Sequence, residues 1–305
     1  MTDVAYVTLD VFTAERFGGN PLAVIPDARG LDDALMQRIA REFNYSETTF
    51  VLPPDDPANT ARVRIFTPAD ELPFAGHPNV GTGFVLAAQG ELFGRALGER
   101  LRFEEIAGLV EVEVLRDTAA VTGARIRAPA EFRTLGEVPP ETVAACASLA
   151  PGDIRTDSHA PIIASVGVAA VMAEVVSPDA LAKARPDTAG FRTADARHES
   201  ESAGFMLYLY ARDPAEPDRV RARMFAPLHD IPEDPATGSA AATLGGLLAE
   251  LDGAAEVTTT IAIAQGVEMG RPSEIEVRVR KAGGRVRDVF VAGPCVPVMR
   301  GTMAV

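Results

Sequence analysis

Two short segments of the sequence combine a polar side chain with glycines directly in front of a long uncharged stretch. The first, GHPNVGTG at 76–83, carries His77, and the second, DPATGSA at 234–240, carries Asp234. The first amide groups of a helix have no partner within the helix, and glycine lets a ligand approach them closely. Such helix starts bind carboxylate or phosphate groups. Both segments are therefore candidate sites for an anionic ligand.

Each of these residues also has an explanation that needs no chemistry. Glycine permits tight packing of a helix beneath strands. Asp234 precedes Pro235, the usual order of an N-cap and a first helical residue, so capping alone would account for Asp234. His77 precedes Pro78 in the same way but is a poorer cap, which favours a polar role for its imidazole. The presence of two such segments weakens the packing explanation.

The two halves of the chain resemble each other in sequence. RIFTPADELP at 64–73 parallels RMFAPLHDIP at 223–232, and HPNVGT at 77–82 parallels DPATGS at 234–239. Two matches in the same order and at nearly the same spacing predict a duplicated fold. In that case the two helix starts are expected to face each other across a cleft that binds the anionic substrate.

The rest of the chain predicts many strands and few helices. EVEVLR at 111–116 and EIEVRVR at 274–280 alternate apolar and charged residues, as strands with one solvated face do. LDDALMQRIAREF at 31–43 predicts one amphipathic surface helix. The stretches that begin at Pro78 and Ser239 contain no charge, and a helix that is apolar on every side must be buried. We therefore predict an α+β fold with two pseudo-symmetric domains, each a curved, mostly antiparallel, barrel-like sheet wrapped around a central helix.

The domain boundary is expected where the chain is rich in proline and charge, near residues 128–140. We assign residues 1–128 to an N-terminal domain and residues 129–289 to a C-terminal domain. The last strand, at 290–305, is expected to return to the N-terminal domain. The active site is expected in the cleft between the two.

Composition excludes several classes of function. With 305 residues, 47% hydrophobic residues and a formal charge of −14, the chain predicts a globular protein that binds neither nucleic acid nor a membrane. The start, MTDVAYVTLDVF, predicts a strand rather than an export signal. Cys146 and Cys295 fit neither a disulfide framework nor a zinc spacing, which indicates a cytoplasmic protein. The scattered histidines and the absence of a phosphate-binding glycine fingerprint predict no metal and no nucleotide cofactor.

Longer segments carry a resemblance to a known family. They are DVFTAERFGGNPLAVI at 10–25, FNYSETTFV at 43–51, the block at 64–87, RMFAPLHDIPEDPATGSAAATLGGLLA at 223–249 and QGVEMGRPSEIEV at 265–277. On these segments the chain resembles the phenazine biosynthesis PhzF family, which has the diaminopimelate epimerase-like fold. The resemblance implies a homodimer and catalysis by proton movement without a metal or cofactor.

The resemblance also assigns roles to individual residues. The glutamate of the N-Y-S-E-T motif is Glu47, which would be the main acid/base; on general grounds a glutamate there would be a solvated surface charge. Other polar residues of the motifs would orient the substrate and assist the proton transfer; they are His77, Asp234 and Ser239. The residues expected to hold the substrate carboxylate or to line the cleft are Asn20, Gly76, Gly81 and Gly238.

The family's named activity implies the isomerisation of trans-2,3-dihydro-3-hydroxyanthranilate, a small cyclic amino and hydroxy carboxylic acid. One carboxyl group can take a proton from carbon and return it on the same face, if it stays close and dry. For this task we expect burial to raise the pKa of Glu47. Two alternatives stay open: an epimerase or racemase of an amino or hydroxy acid, and a non-catalytic ligand-binding or interaction protein.

Two features of the sequence depart from the wider group of relatives. Epimerases and proline racemases of this fold carry a cysteine at each helix start, but neither Cys146 nor Cys295 lies in those motifs. A racemase with two thiols is therefore not expected. The tail VAGPCVPV at 291–298 also differs from the family's V-G-G-x-A-V pattern, which puts the strand geometry there in question.

Overall fold

A computed structural model describes residues 3–198, 204–213 and 216–305. The chain divides into two units, the first made of Met1–Arg127 with Ala292–Val305 and the second of Ala128–Val291. None of the helices in these described ranges has both the length and the hydropathy needed to cross a membrane.

The elements of the first unit, in chain order, are β1 (Asp3–Val11), β2 (Asn20–Ile25), α1 (Asp33–Phe43), β3 (Glu47–Leu52), β4 (Ala61–Phe66), β5 (Glu71–Leu72), α2 (Gly76–Gln89), β6 (Glu91–Leu92), β7 (Arg95–Ala96), β8 (Arg100–Glu105), β9 (Gly108–Asp117) and β10 (Ala120–Arg127). Those of the second unit are β11 (Arg133–Glu137), α3 (Pro140–Ala147), β12 (Ile162–Ser165), β13 (Ala169–Glu174), α4 (Pro178–Lys183), α5 (Thr188–Asp195), β14 (Leu207–Asp213), β15 (Glu216–Ala226), β16 (Ile231–Asp234), α6 (Gly238–Leu251), β17 (Val257–Gln265) and β18 (Ser273–Ala282). The last strand, β19 (Arg285–Ala304), contributes residues to both units.

Strand pairing in the first unit closes a barrel. Among the described residues, eight strands pair in the order β1–β2–β3–β4–β8–β9–β10–β19, and β19 pairs again with β1. The pairs β2–β3 and β4–β8 are parallel, whereas β1–β2, β3–β4, β8–β9, β9–β10 and β1–β19 are antiparallel. Helix α2 contacts β1, β2, β3, β9 and β10, so it lies inside the barrel.

The sequence of α2 explains why it can occupy this interior. The run from His77 to Ala87 is buried without interruption and contains no charged residue. Glycine brings the helix close to the strands, since a Cβ on Gly83 would lie 2.6 Å from Cγ1 of Val112. The helix ends at Gly90, whose left-handed φ of 77° directs its amide to Leu86 O at 3.1 Å. A charged side chain anywhere in this run would lose its water without gaining a partner.

The second unit repeats this design around α6. Its sheet has the order β11–β12–β13–β14–β15–β17–β18, with the short β16 beside β15. Helix α6 packs against β12 and β13 and also against β17 and β18, so the sheet must curl around it. Gly245 and Gly246 permit this, because added Cβ atoms would lie 2.5 Å from Val277 and 2.6 Å from Phe132. The α+β fold predicted from the sequence, with a curved sheet around a central helix in each unit, is confirmed.

The duplicated R-x-F pattern of the sequence becomes a partly buried clamp in the first unit. Arg64 of β4 donates from Nε and Nη2 to the two carboxylate oxygens of Glu71 on β5, both at 2.7 Å. Its guanidinium also lies 5.0 Å from the ring centre of Phe66. The clamp ties the short return strand β5, which leads into α2, to the barrel.

The second unit contains the same clamp at the equivalent place. Arg223 of β15 donates from Nε and Nη2 to Glu233 of β16, both at 2.8 Å, and lies 4.9 Å from the ring centre of Phe225. Its third nitrogen, Nη1, donates to the carbonyl groups of Leu181 and Ala184 at 3.0 and 2.7 Å. The same three contacts of arginine, glutamate and phenylalanine in both units support a duplicated fold.

The amphipathic helix and the unusual tail also take definite forms. Helix α1 starts at Asp33 rather than Leu31, because Asp32 caps it by accepting from Leu35 N at 2.8 Å.

In the tail, β19 continues through 291–298 with a register shift opposite the Thr8–Leu9 step. Thr8 Oγ1 accepts the amide of Met299 there at 3.1 Å. The altered tail therefore keeps its strand.

We expect Arg223→Met to destabilise the second unit by about 3–5 kcal/mol, because Glu233 would remain buried without its counter-charge. The control is Arg280→Met, since Arg280 is 54% exposed and its pair with Asp288 should contribute no more than about 1 kcal/mol. Urea unfolding of both variants measures the difference. Equal, small losses would show that the buried clamp does not hold β16 in place.

Candidate active site

Glu47 occupies the first position of β3, directly after the turn that ends α1. Asn44 ends that helix in the left-handed conformation, with φ of 53°, and turns the chain into the strand. In the parallel pair β2–β3, Glu47 lies opposite Leu22. Thr49, two residues later and on the same face of β3, forms a 2.8 Å hydrogen bond with Thr82 of α2. The face of β3 that carries Glu47 is thus the face that meets the central helix.

The carboxyl group of Glu47 lies beside the imidazole of His77. Glu47 Oε2 and His77 Nε2 are 3.3 Å apart, with 15% and 6% of the two side chains exposed. Within the described residues Glu47 Oε2 has no hydrogen-bond partner, so the contact with His77 lacks hydrogen-bond alignment. Burial raises the pKa of Glu47 to about 7, and the adjacent Ser46 hydroxyl group partly offsets the rise. The predicted effect of burial is therefore confirmed, and near neutral pH this carboxyl group can both accept and donate a proton.

Asn20 belongs to the same group of side chains. It begins β2, is 1% exposed, and accepts a hydrogen bond from Ser46 Oγ to its Oδ1 at 3.1 Å. The preceding Gly19 has φ of 55°, and an added Cβ would lie 2.2 Å from Val11 O. Only glycine fits there. The G-N-P motif therefore fixes Asn20 next to the residue that precedes Glu47.

The start of α2 presents backbone amides without a side-chain cap. Ala75 is the N-cap residue and makes no side-chain bond, so no side chain occupies the amides of Gly76 and His77 from that position. Pro78 is the third helical residue, not the first as the sequence predicted. Asn79 supports the turn by donating from Nδ2 to Ala75 O at 3.0 Å. This end suits an anionic group.

Gly81 has a different position from Gly76. It is the sixth residue of α2, beyond the first turn, where amides bond within the helix. A Cβ at Gly81 would lie 2.5 Å from Leu22 and 2.8 Å from Val11. In this structure Gly81 therefore serves the packing of α2 against β1 and β2.

In the second unit, Asp234 ends β16 and α6 begins at Gly238, with Ser239 as its second residue. Two expectations from the sequence are wrong here. Asp234 is not the N-cap, because Thr237 takes that position, and Pro235 lies before the helix rather than at its first residue. Instead, Thr237 Oγ1 donates to Asp234 Oδ2, which closes the turn. The start of α6, like that of α2, has no side-chain cap.

Gln265, the last residue of β17, holds this turn. Its Nε2 donates to Asp234 O at 2.8 Å and to Thr237 Oγ1 at 3.0 Å. Its Oε1 accepts from Tyr208 OH at 3.0 Å. Gln265 is fully buried, and Ser273 Oγ adds a hydrogen bond to Pro235 O at 3.0 Å. The side chain of Asp234 thus sits on a turn braced from three strands, β14, β17 and β18.

The structure therefore groups the predicted residues by unit: Asn20, Glu47, Gly76 and His77 in the first, and Asp234, Gly238 and Ser239 in the second. Sequence reasoning missed the residues that brace them, which are Ser46, Asn79, Tyr208, Thr237 and Gln265. Their common signal is a polar side chain inside an otherwise small or apolar stretch. Tyr208 and Gln265 are 57 residues apart, and Ser46 and Asn20 are 26 apart, so no local motif marks these contacts. Asn79 and Thr237 bond to residues four and three positions away, inside the quoted motifs.

Thiol and metal chemistry find little support in the described part of the chain. Cys146 and Cys295 are both buried, and burial raises the pKa of each thiol. A thiol with a raised pKa is a poor nucleophile and a poor proton acceptor near neutral pH. Within the same ranges, no group of three or more His, Cys, Asp or Glu side chains is arranged to hold a metal ion.

Comparison with known proteins gives matches along nearly the whole chain. Residues 9–301 match the family model described as phenazine biosynthesis-like protein, PhzC-PhzF. The chain is 39% identical to an uncharacterised isomerase of Mesorhizobium japonicum and 36% identical to trans-2,3-dihydro-3-hydroxyanthranilate isomerase of Pseudomonas fluorescens, in each case over 98% of both chains. A solved PhzF-family phenazine biosynthesis protein of Bacillus anthracis has the same fold, with a TM-score of 0.85 at 24% identity over all of both chains.

We expect Gly81→Ala to lower the free energy of unfolding by about 1–3 kcal/mol, although alanine favours helices, because the methyl group would overlap Leu22 and Val11. The matched control is Gly98→Ala, where an added Cβ meets nothing within 4 Å. That change should lie within about 0.5 kcal/mol of the wild type or stabilise it slightly. Thermal unfolding compares the two, and a neutral Gly81→Ala would refute the packing role.

Proposed function

The chain belongs to the phenazine biosynthesis-like protein family and is an isomerase, and we propose that it moves a proton between two carbons of a small cyclic carboxylic acid. The proposed substrate resembles that of the Pseudomonas fluorescens relative and carries amino or hydroxyl groups on its ring. Glu47 takes the proton and returns it, without a metal or cofactor. The observation that carries this proposal is the buried carboxyl group of Glu47 beside His77 at an uncapped helix start.

The environment of Glu47 suits an acid/base that works in both directions. A proton carrier is most effective when its pKa lies near the working pH, and the pKa of Glu47 is raised to about 7 by burial. The group is ionised in a large fraction of molecules at that pH and can abstract a proton from carbon. Once protonated, it is a strong enough acid to return the proton to another carbon on the same face.

The start of α2 binds the substrate carboxylate. The amides of Gly76 and His77 point along the helix axis, and the positive end of the helix dipole favours an anion there. Negative charge that develops on the substrate as its proton leaves would be stabilised by the same amides. His77, 3.3 Å from Glu47 Oε2, orients the carboxyl group and hydrogen-bonds a polar group of the substrate.

Asp234, Gly238 and Ser239 are assigned to the same reaction by the family resemblance, and this assignment stays a prediction. Two local features support it. The start of α6 has no side-chain cap, and Asp234 is held in place by Thr237 and Gln265. An ionised carboxylate at that position would bind an ammonium or hydroxyl group of the substrate.

The role of Glu47 is tested by hydrogen exchange with trans-2,3-dihydro-3-hydroxyanthranilate in deuterium oxide. The wild type should incorporate deuterium at carbon. In Glu47→Gln the rate of incorporation should be about 10²–10⁴-fold lower, because the amide cannot accept the proton. Glu42→Gln, an exposed glutamate on α1, is the matched control and should keep the wild-type rate. Mass spectrometry measures the label. Equal rates for wild type and Glu47→Gln would refute the role of this residue.

The same labelled product distinguishes the epimerase alternative. An isomerase moves the proton to a different carbon with a shift of the double bond, whereas an epimerase returns it to the same carbon with inverted configuration. Proton NMR of the product determines which has occurred. The non-catalytic alternative is no longer needed, because the chain is an isomerase.

The pH dependence of kcat/KM follows from the same carboxyl group. Glu47 must be ionised to accept a proton, and its raised pKa means that it becomes ionised only as the pH rises through about 7. We therefore expect kcat/KM to increase with pH with a midpoint near 7, measured from about pH 5 upward. A midpoint near the ordinary glutamate value of 4.5 would contradict the account.

A further inference from the structure

The side-chain amide of Gln265 has an orientation that backbone groups fix on both sides. Gln265 ends β17 and is fully buried. Its Nε2 lies 2.8 Å from Asp234 O, a carbonyl oxygen that can only accept, and its Oε1 lies 3.3 Å from Thr237 N, which can only donate. An exchange of Oε1 and Nε2 would bring two acceptors together on one side and two donors on the other. The nitrogen is therefore the donor of two protons, and the oxygen is the acceptor.

The fixed amide sets the direction of a chain of hydrogen bonds. Tyr208 OH must donate to Gln265 Oε1, at 3.0 Å, because an amide oxygen only accepts. Gln265 Nε2 donates its second proton to Thr237 Oγ1, also at 3.0 Å. The hydroxyl group of Thr237 keeps its own proton, which it donates to Asp234 Oδ2. The chain therefore runs in one direction and ends on the carboxyl group of Asp234.

The direction of this chain determines the state of the Asp234 carboxyl group. A proton on Oδ2 would meet the proton of Thr237, for which the described part of the chain offers no other acceptor. Oδ2 therefore carries no proton. The far end of the chain cannot reverse, because burial and the charge of Asp234 both raise the pKa of Tyr208 above its usual range and keep its phenol group a donor. Since a hydrogen bond donated to a carboxylate stabilises the ionised form, the chain favours an ionised Asp234.

The two carboxyl groups assigned to the reaction thus have opposite surroundings. Within the described residues, Glu47 Oε2 has no hydrogen-bond partner, and burial raises the pKa of Glu47 to about 7. Asp234 instead receives a donor whose direction is enforced. When two carboxyl groups differ in this way, one can carry the proton while the other keeps a fixed negative charge. A fixed negative charge suits a donor group of the substrate, such as an ammonium group.

We propose that Gln265 and Thr237 are positioning residues that hold Asp234 as an ionised acceptor for an amino or hydroxyl group of the substrate. Thr237 acts through the hydrogen bond from its hydroxyl group to Asp234, and Gln265 acts through the direction that it imposes on that hydroxyl group. The inference rests on the proposed function of Asp234. Breaking the chain is expected to weaken substrate binding and to leave the proton transfer by Glu47 intact.

The kinetic test removes the last donor of the chain. Thr237→Val deletes the hydroxyl group with little change of shape. In deuterium exchange with trans-2,3-dihydro-3-hydroxyanthranilate, its KM should rise about tenfold or more and its kcat should stay within about threefold, because the lost interaction serves binding. Thr237→Ser keeps the hydroxyl group and should keep KM within about twofold. Thr258→Val makes the same change at an exposed position of β17 and is the control, expected to match the wild type.

The direction of the chain is tested by Gln265→Glu. A glutamate has the same shape but cannot donate to both Asp234 O and Thr237 Oγ1, so the hydroxyl group of Thr237 turns toward it and leaves Asp234. KM should rise as in Thr237→Val. The double variant should show no further rise, because both changes remove the same hydrogen bond to Asp234.

A measurement without substrate tests the contact itself. Thr237→Val should lower the urea midpoint of unfolding in the wild-type chain, and most of this loss should disappear in an Asp234→Ala background, where the acceptor is already absent. Equal losses in the two backgrounds would overturn the proposal, whether or not the protein is active.

The remaining outcomes are also decisive. Coupled losses of stability with an unchanged KM, or a fall in kcat alone, would overturn the positioning role. If the wild type exchanges no deuterium, the proposed function fails and the positioning role fails with it, while the unfolding comparison still decides whether the chain ends on Asp234. If Gln265→Glu does not fold, the contrast between Thr237→Val and Thr237→Ser decides the proposal, since a purely structural role would not raise KM in the first alone.

Discussion

The contact between Glu47 and His77 at the start of α2 is the feature on which the rest of the first unit depends. Their atoms are 3.3 Å apart and largely buried, so within the described residues Oε2 of the carboxyl group has lost its water without gaining a hydrogen bond. An arrangement of this kind costs stability and persists only where the surrounding structure enforces it. Burial is also what brings the pKa of Glu47 to about 7. The cost in stability and the proposed chemistry therefore have one cause, the burial of this carboxyl group.

The architecture supplies that enforcement through a helix enclosed by strands. Helix α2 lies inside the barrel, which fixes the position of its first turn. The Thr49–Thr82 hydrogen bond ties α2 to β3, the strand that begins with Glu47. The clamp of Arg64 and Glu71 anchors the segment that enters the helix. In each unit the arginine clamp holds the short strand that precedes the central helix, β5 before α2 and β16 before α6. Rigidity at a helix start is what an anion site made of backbone amides requires.

Much of this could be predicted from the sequence, and the failures have a physical pattern. The uncharged stretches predicted buried helices, and the N-Y-S-E-T and G-H-P motifs predicted residues that the structure brings together, Glu47 and His77. The N-cap assignment of Asp234 failed because an Asp-Pro pair suits a turn as well as a helix start, and only the fold decides between them. Gln265 escaped notice because its role depends on partners far away in sequence, Tyr208 and Asp234. Local patterns specify elements, whereas bracing contacts arise only when the elements pack.

The most direct test of the account is the titration of the Glu47 carboxyl group itself. Carbon-13 NMR of protein labelled at the glutamate side-chain carboxyl, with Glu47→Gln to assign the resonance, follows its ionisation in the absence of substrate. The account predicts a midpoint near 7, set by burial beside His77. A midpoint near 4.5 would mean that the carboxyl group is solvated and ionised at neutral pH, and the proposed proton transfer would lose its basis.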